Sequence, residues 1–235
     1  MAQFTVTGDV DPFLHVSLKS GEKIYCEANA MVMMESNLEL KGKMTGGIGG
    51  ALMRRFANGE SFFQQHIEAT FGAGDCLLSP VLPGAIEVLD VGPSRYLLND
   101  GAFVAAESGV TLQVRTQSLG TALFGQTGGF FICEAGGNGK LAVSGFGSTF
   151  VLDVEPGKDI VIDNAHVIAW DAKLHYEISV ATQSGGGFLG QVLNSVTSGE
   201  GMVLKFSGKG KVVICSRNRD NFTSWLSRVI SGTGR

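Results

Sequence analysis

A self-match at a spacing of 63 residues constrains this chain more than any other feature. Residues 84–93 lie over 147–156, sharing Gly84 with Gly147 and Val88-Leu89-Asp90-Val91 with Val151-Leu152-Asp153-Val154. The same spacing pairs Asp100 with Asp163, Ala102 with Ala165, Val104 with Val167 and Ala106 with Ala169. Ten of the 23 positions from Gly84 to Ala106 are identical, where ordinary composition supplies about one or two. A further copy sits upstream at a spacing of 72, placing Ala30-x-Val32 over Ala102-x-Val104 and Glu35-Ser36 over Glu107-Ser108. The later half of each unit carries a Gly-x-Gly before an apolar stretch: Gly72-Ala73-Gly74, Gly137-Asn138-Gly139 and Gly208-Lys209-Gly210. Repeats of this size bury their hydrophobic faces against one another, so the architecture is one of stacked, similar units.

Each unit reads as strands. Apolar runs end at Ala28-Asn29, Asp100-Gly101 and Asp163-Asn164, residues that accept the backbone of tight hairpin turns, and a second apolar run follows at once. Val110-x-Leu112-x-Val114 and Leu174-x-Tyr176-x-Ile178 alternate with the period of a half-buried strand. Glycine-rich loops interrupt the units at 46–50, 120–129 and 185–187, and short helical turns are expected at 51–56 and 188–196. Many short strands with regular glycine turns indicate sandwich or barrel layers. The expected fold is mainly all-β: three β-sandwich or double-stranded β-helix-like repeats around a pseudo-threefold axis, with a short C-terminal α-helix. The expected organisation is one compact domain, 1–235, with repeats at about 10–92, 93–155 and 156–218 and the helix at 220–231. Asn221 is the expected cap, and Phe222, Trp225, Leu226, Val229 and Ile230 form an apolar stripe at helical spacing. Its candidate partners are the protein's own sheet, another subunit or a membrane surface. The first is favoured, as a clasp in which Trp225→Ala lowers the melting temperature by several degrees.

Composition narrows the class. Glycine supplies 34 of 235 residues and proline 5, while charged residues make up 17% and hydrophobic ones 44%; disorder needs the opposite balance. The formal net charge of -4 offers no basic field for phosphate. The opening MAQFTVTGDVDPF has no basic n-region, and the first arginine is Arg54, so neither a secretory signal nor an Arg-rich transit peptide is expected. The uncharged stretches 116–133 and 178–199 are broken by polar residues and glycines, short of the ~20-residue apolar run a spanning helix needs. A cytoplasmic protein, peripheral to the membrane at most, is expected.

Catalytic motifs are missing. Gly139-Lys140 is followed by Leu141 and Gly157-Lys158 by Asp159, so no phosphate-binding loop is formed. There is no Gly-x-Ser-x-Gly elbow. Cys26, Cys76, Cys133 and Cys215 have no CxxC spacing and read as reduced, buried thiols. The weak metal candidates are His166, which the self-match places with Met31 and Phe103, and the acids Glu35, Glu107 and Asp171 that close the Ala-x-Val stretch of each unit. Three carboxylates around an axis would suit a cation, although capping a turn is their commoner work. His166, His175 and Glu177 could also converge from neighbouring strands. The basic run Lys205-Phe206-Ser207-Gly208-Lys209-Gly210-Lys211 is taken as a solvated turn.

Several strings carry a resemblance: Gly21-Glu22, Ala30-Met31-Val32-Met33, Gly59-Glu60-Ser61-Phe62-Phe63, Leu78-Ser79-Pro80, Gly101-Ala102-Phe103-Val104-Ala105 and Ser198-Gly199-Glu200-Gly201. Over about 21–218 the chain resembles the bacterial relatives of the altered-inheritance-of-mitochondria proteins, whose fold is grouped with the tryptophan RNA-binding attenuation protein. The resemblance implies a β-sandwich of three repeats and brings no catalytic residues. Mitochondrial members support inner-membrane organisation and respiratory-complex assembly. Likeness of fold alone does not imply RNA or tryptophan binding.

The expected function is that of a non-enzymatic scaffold or assembly protein acting through oligomeric β surfaces. The alternative is a small-ligand or metal-binding module around the axis. No cofactor and no nucleic acid are expected. The expected partners are copies of itself, as a trimer or hexamer, and proteins near the membrane, met partly through loop residues Leu52, Phe124, Phe188 and Leu189.

Overall fold

The computed structural model describes residues 1–42, 65–116, 131–180 and 202–232. The three glycine-rich loops, the helical turns expected at 51–56 and 188–196, and Leu52, Phe124, Phe188 and Leu189 lie outside the described residues. The described residues are mostly strands. After β1 (Gln3–Thr7) comes a first run: β2 (Phe13–Leu18), β3 (Lys23–Cys26), β4 (Met31–Met34), β5 (Glu39–Gly42), β6 (Gln65–Glu68) and β7 (Gly74–Leu78). A second run follows: β8 (Ile86–Val91), β9 (Tyr96–Leu98), β10 (Phe103–Glu107), β11 (Val110–Thr116), β12 (Phe131–Gly137) and β13 (Gly139–Ser144). The third is β14 (Thr149–Val154), β15 (Ile160–Asp163), β16 (Val167–Asp171), β17 (His175–Val180), β18 (Met202–Ser207) and β19 (Gly210–Cys215), with a 3-10 turn, Asn164–His166, between β15 and β16. The helix α1 (Arg219–Gly232) ends the described chain.

Within each run the pairings are the same and all antiparallel. The first strand pairs with the sixth and the sixth with the third, as in β2·β7·β4, β8·β13·β10 and β14·β19·β16. The second pairs with the fifth and the fifth with the fourth. Two seams then join successive runs: β3 pairs with β10, and β9 with β16. The result is two six-stranded sheets, β5-β6-β3-β10-β13-β8 and β11-β12-β9-β16-β19-β14, flanked by the four-stranded β1-β2-β7-β4 and the three-stranded β15-β18-β17.

The registers correct one detail of the sequence alignment. Each third strand carries a bulge against its sixth strand, between Met31 and Met33, Phe103 and Ala105, and Val167 and Ala169. Val167 therefore stands with Met31 and Phe103, and His166 falls one place earlier, in the 3-10 turn. The spacing of 63 holds from β8 to β14 and becomes 64 by β16, because the link from Val154 to Ile160 is one residue longer than that from Val91 to Tyr96. A self-match without gaps carries the wrong partner past that link.

Three apolar clusters form the interior, and the alternation visible in sequence builds them. β2 buries Leu14, Val16 and Leu18 and turns the intervening residues outward, as a strand's period of two requires. Leu14, Ile24, Ile67 and Leu78 sit in the first cluster, Leu98, Ala106, Leu141 and Val213 in the second, and Trp170, Leu204 and Phe206 in the third. Where a strand has neighbours on both sides and cover on both faces, every residue is buried, as in β10 and β16.

The C-terminal helix differs from expectation in two ways. Its cap is Asn218, whose Oδ1 accepts from the backbone N–H of Asp220 at 2.9 Å and Asn221 at 3.0 Å; the helix thus starts one turn before the expected Asn221 cap. It is also no clasp. No residue of α1 is buried, and Trp225 is 52% exposed. Phe222 makes an edge contact with Phe146 at 5.1 Å between ring centroids, which anchors the first turn, while the later part of the stripe faces outward. The short link after β19 keeps α1 near the body without forcing its stripe onto a sheet. Among the described residues no helix is long and apolar enough to cross a membrane.

Candidate functional site

A cleft of about 590 Å³ opens where all three runs contribute the same two connections. One is the turn between second and third strands: Glu27 in the first run, Asn99 to Ala102 in the second, Asn164 and Ala165 in the third. The other follows the sixth strand: Pro80 to Leu82, then Gly145 and Phe146, then Arg217 to Asp220 at the head of α1. The turn residues are there because Asn and Gly tolerate positive φ, as Asn29 (φ 70) and Gly101 (φ 74) do.

The seams run along this cleft. The backbone N–H of Glu27 donates to the Val104 carbonyl, and that of Asn99 to the Ile168 carbonyl, each at 2.9 Å. At the second seam Asn99 Nδ2 also donates to the carbonyls of Asn164 and Val167, both at 3.1 Å, so one amide stitches two runs together. The first seam carries Glu27 instead, with Asp100 acting on it. Burial foremost, and the Asp100 charge next, push the Glu27 carboxyl up from its ordinary 4.5 to about 7. A carboxyl raised in the folded state favours folding in full below pH 4.5 and loses that contribution as pH climbs through 7. With allowance for the water still reaching this partly buried side chain, the loss is about 1–2 kcal/mol. Glu27→Gln, which copies the neutral amide of the second seam, is expected to leave the melting temperature unchanged near pH 4.5 and to raise it by a few degrees at pH 8. Thermal melts across that range check it.

Ser144 Oγ donates to the Ala85 carbonyl at 3.0 Å, and Arg217 lies over the Phe146 ring at 5.8 Å. Cys215 at the cleft wall is buried and its thiol is pushed up by burial. Burial pushes Cys26, Cys76 and Cys133 up to about 12, and all four are free thiols. Thiols so protonated are poor nucleophiles at neutral pH. The concavity mixes guanidinium, carboxyl and aromatic groups.

The residues singled out as metal candidates occupy separate places. Glu35 accepts from the Asp75 backbone N–H at 3.1 Å, and Glu107 from that of Lys140 at 2.7 Å. Asp171 accepts from Ser94 Oγ at 3.2 Å and the Lys173 N–H at 3.0 Å. Each acid is spent on its own end of a third strand. His166 donates through Nδ1 to the Cys215 carbonyl at 2.8 Å, and His175 lies 3.6 Å from Glu177 on an exposed strand. Among the described residues no three His, Cys, Asp or Glu side chains gather as a metal would require. In the basic run, Lys205 pairs with Asp159 at 2.9 Å, and Lys209 and Lys211 are exposed where the chain passes from β18 into β19. Glu27 and Asn99 were not singled out from sequence. Their turns were legible, but nothing local showed that the turn of one run meets that of the next.

The sequence model of the family described as Mitochondrial biogenesis AIM24 matches residues 4–217. An uncharacterised protein of Streptococcus pyogenes serotype M6 is 34% identical over 235 residues, covering 97% of this chain and 91% of that protein. A crystal structure of a Streptococcus pyogenes protein superposes with a TM-score of 0.78 at 31% identity, covering 97% of this chain and 100% of that one.

Proposed function

The chain belongs to the Mitochondrial biogenesis AIM24 family, and from that premise we propose that it is a non-enzymatic assembly protein, cytoplasmic and acting at the membrane periphery through its β surfaces and its C-terminal helix. The observation that carries this is the apolar stripe of α1: Phe222, Trp225, Leu226, Val229 and Ile230 are 38–63% exposed. Exposed apolar surface grouped on one face of a helix marks a contact surface. The occupant we assign is the apolar face of a partner protein. The stripe is accompanied by two arginines, Arg219 and Arg228, and one acid, Asp220, a weaker positive charge than helices lying on anionic membranes carry. Self-association belongs to the same proposal, with trimer and hexamer the states to look for.

Trp225→Ala tests the helix. An exposed truncation away from the core costs about 0.5 kcal/mol or less, so the melting temperature is expected to move by about 1–2 °C at most. Affinity capture of the full chain from cytosolic and membrane fractions is expected to lose its partner protein in the variant. A variant that keeps its partners but no longer sediments with anionic vesicles would make α1 a membrane contact. Turnover of a defined metabolite with no captured partner would remove the assembly proposal altogether.

A second reading rests on the cleft. Its volume and the carboxyl at Glu27, poised near neutral pH, favour a small-ligand module. Native mass spectrometry and metal analysis of the purified protein separate the two: a bound small molecule or ion retained through purification favours the module.

A further inference from the structure

The two seams within the chain are built alike but close differently over the cleft. In each, a backbone N–H of the earlier run donates to a third-strand carbonyl of the later one, Glu27 to Val104 and Asn99 to Ile168. At the second seam a side chain completes the contact: Asn99 Nδ2 donates to the carbonyls of Asn164 and Val167, both at 3.1 Å. The matching registers of the seams put Glu27 in the place of Asn99, and the carbonyls of Asp100 and Phe103 in the places of those of Asn164 and Val167. An ionised carboxylate only accepts hydrogen bonds. Where the second seam sets a donor against two acceptors, the first therefore sets an acceptor against them.

The surroundings of Glu27 sharpen the contrast. Among the described residues its carboxyl has no hydrogen bond or ion pair, and the charge that acts on it, Asp100, is a second acid. Both line the cleft of about 590 Å³, a size that suits an organic molecule rather than a bare ion. The charged residues of the lining are Glu27, Asp100 and Asp220 against Arg217 and Arg219, so the concavity is acidic once Glu27 is ionised. Arg219 stands beside Asp220, Nε to Oδ1 at 3.7 Å, and Arg217 lies over the Phe146 ring. The remaining titratable neighbours, Cys26 and Cys215, are thiols pushed up by burial and stay neutral.

We propose that the first seam binds the primary ammonium group of a small organic amine, held by the Glu27 and Asp100 carboxylates and the seam carbonyls of Asp100 and Phe103. A primary ammonium carries three N–H donors, enough to serve a carboxylate and both carbonyls together. Hydrogen bonds between an ammonium and a carboxylate are shorter and stronger than neutral ones. The amine does at the first seam what the Asn99 amide does at the second, drawing one run onto the next. The raised Glu27 carboxyl agrees with this. Below about 7 its own proton is the donor, and above that its charge favours a cation. The proposal rests on the small-ligand reading of the cleft and names the class of molecule.

Titration calorimetry of the full chain with n-butylammonium tests it. Saturable binding is expected at pH 8. At pH 6 it is expected to be about tenfold weaker, because a carboxyl titrating at about 7 passes from mostly charged to mostly protonated. Tetramethylammonium, with the same charge and no N–H, is expected not to bind, and neither is calcium. Glu27→Gln, which copies the amide of the second seam, is expected to abolish butylammonium binding. No saturable binding at pH 8 overturns the proposal, as does equal binding of tetramethylammonium, no change between pH 6 and pH 8, or calcium that displaces butylammonium. The pH comparison uses the unaltered chain, so it decides even where the variant folds poorly. Native mass spectrometry keeps the two readings apart: a molecule retained by wild type and Glu27→Gln alike would keep the small-ligand module and overturn the ammonium site.

Discussion

Trp170→Ala is expected to destabilise the protein by about 3–5 kcal/mol, the usual cost of emptying a buried aromatic site. Trp170 is fully buried and is the largest such side chain among the described residues. It meets Tyr176 at 5.3 Å and Phe206 at 5.7 Å, both edge to face, and such contacts add to the area term. Its strand β16 is the middle of a sheet, with Trp170 opposite Val212 on one side and Leu97 on the other, so the surroundings have little freedom to close the hole. For a chain of this length the loss corresponds to a fall of roughly 6–20 °C in melting temperature. Trp170→Phe, which keeps most ring contacts, is expected to cost less than half as much. Calorimetry on both variants checks the pair; equal losses would mean that the indole's size is not what matters.

Gly84→Ala is expected to have an effect of similar size by the opposite route. A Cβ at Gly84 would stand 1.9 Å from the Gly145 carbonyl oxygen and 2.9 Å from the Gly147 amide nitrogen. Both are backbone atoms, and they cannot swing aside as the end of a side chain would. Gly84 bridges Gly147 directly, with the Ala85 N–H donating to the Gly147 carbonyl at 2.7 Å. Overpacking by one methyl commonly costs about 1–3 kcal/mol, and a clash of backbone against backbone belongs at or above the top of that range. Gly232→Ala is the matched control, since nothing lies within 4 Å of a Cβ there; it is expected to be neutral. Side-by-side denaturant titrations decide, and a Gly84→Ala midpoint within error of wild type would contradict the close approach.

The self-match that singles out Gly84 and Gly147 is thus also a packing statement. Both first strands begin where two connections touch, and only glycine leaves room. The strand content, the turn positions and the Gly-x-Gly starts of β7, β13 and β19 were likewise legible, because alternation and turn chemistry act within a few residues. The free, buried state of the four cysteines followed from their apolar surroundings in the same way. What misled was equally local. The stripe of α1 has the spacing of a docked helix, yet spacing says only that one face is apolar, not what covers it. The uninterrupted alignment put His166 with Phe103 because a single added residue between β14 and β15 leaves no mark on composition. Nothing in the sequence sets Glu27 apart, because its raised carboxyl depends on burial and on the Asp100 turn of the next run being brought against it.

The sequence by itself determined the strands, the turns between them and their likeness from run to run, since these depend on side-chain alternation and on residues that accept unusual φ. Tertiary structure alone decided which strands became neighbours. β4 and β10 correspond along the chain and are comparably apolar, but β10 is sealed between β3 and β13 so completely that even Glu107 is buried, while among the described residues β4 has one neighbour and presents Val32 and Met33 outward. Burial, the raised Glu27 carboxyl and the open edges all belong to surfaces that meet across long stretches of chain, and pairing between distant segments is set by the whole array of competing contacts rather than by either segment's own residues.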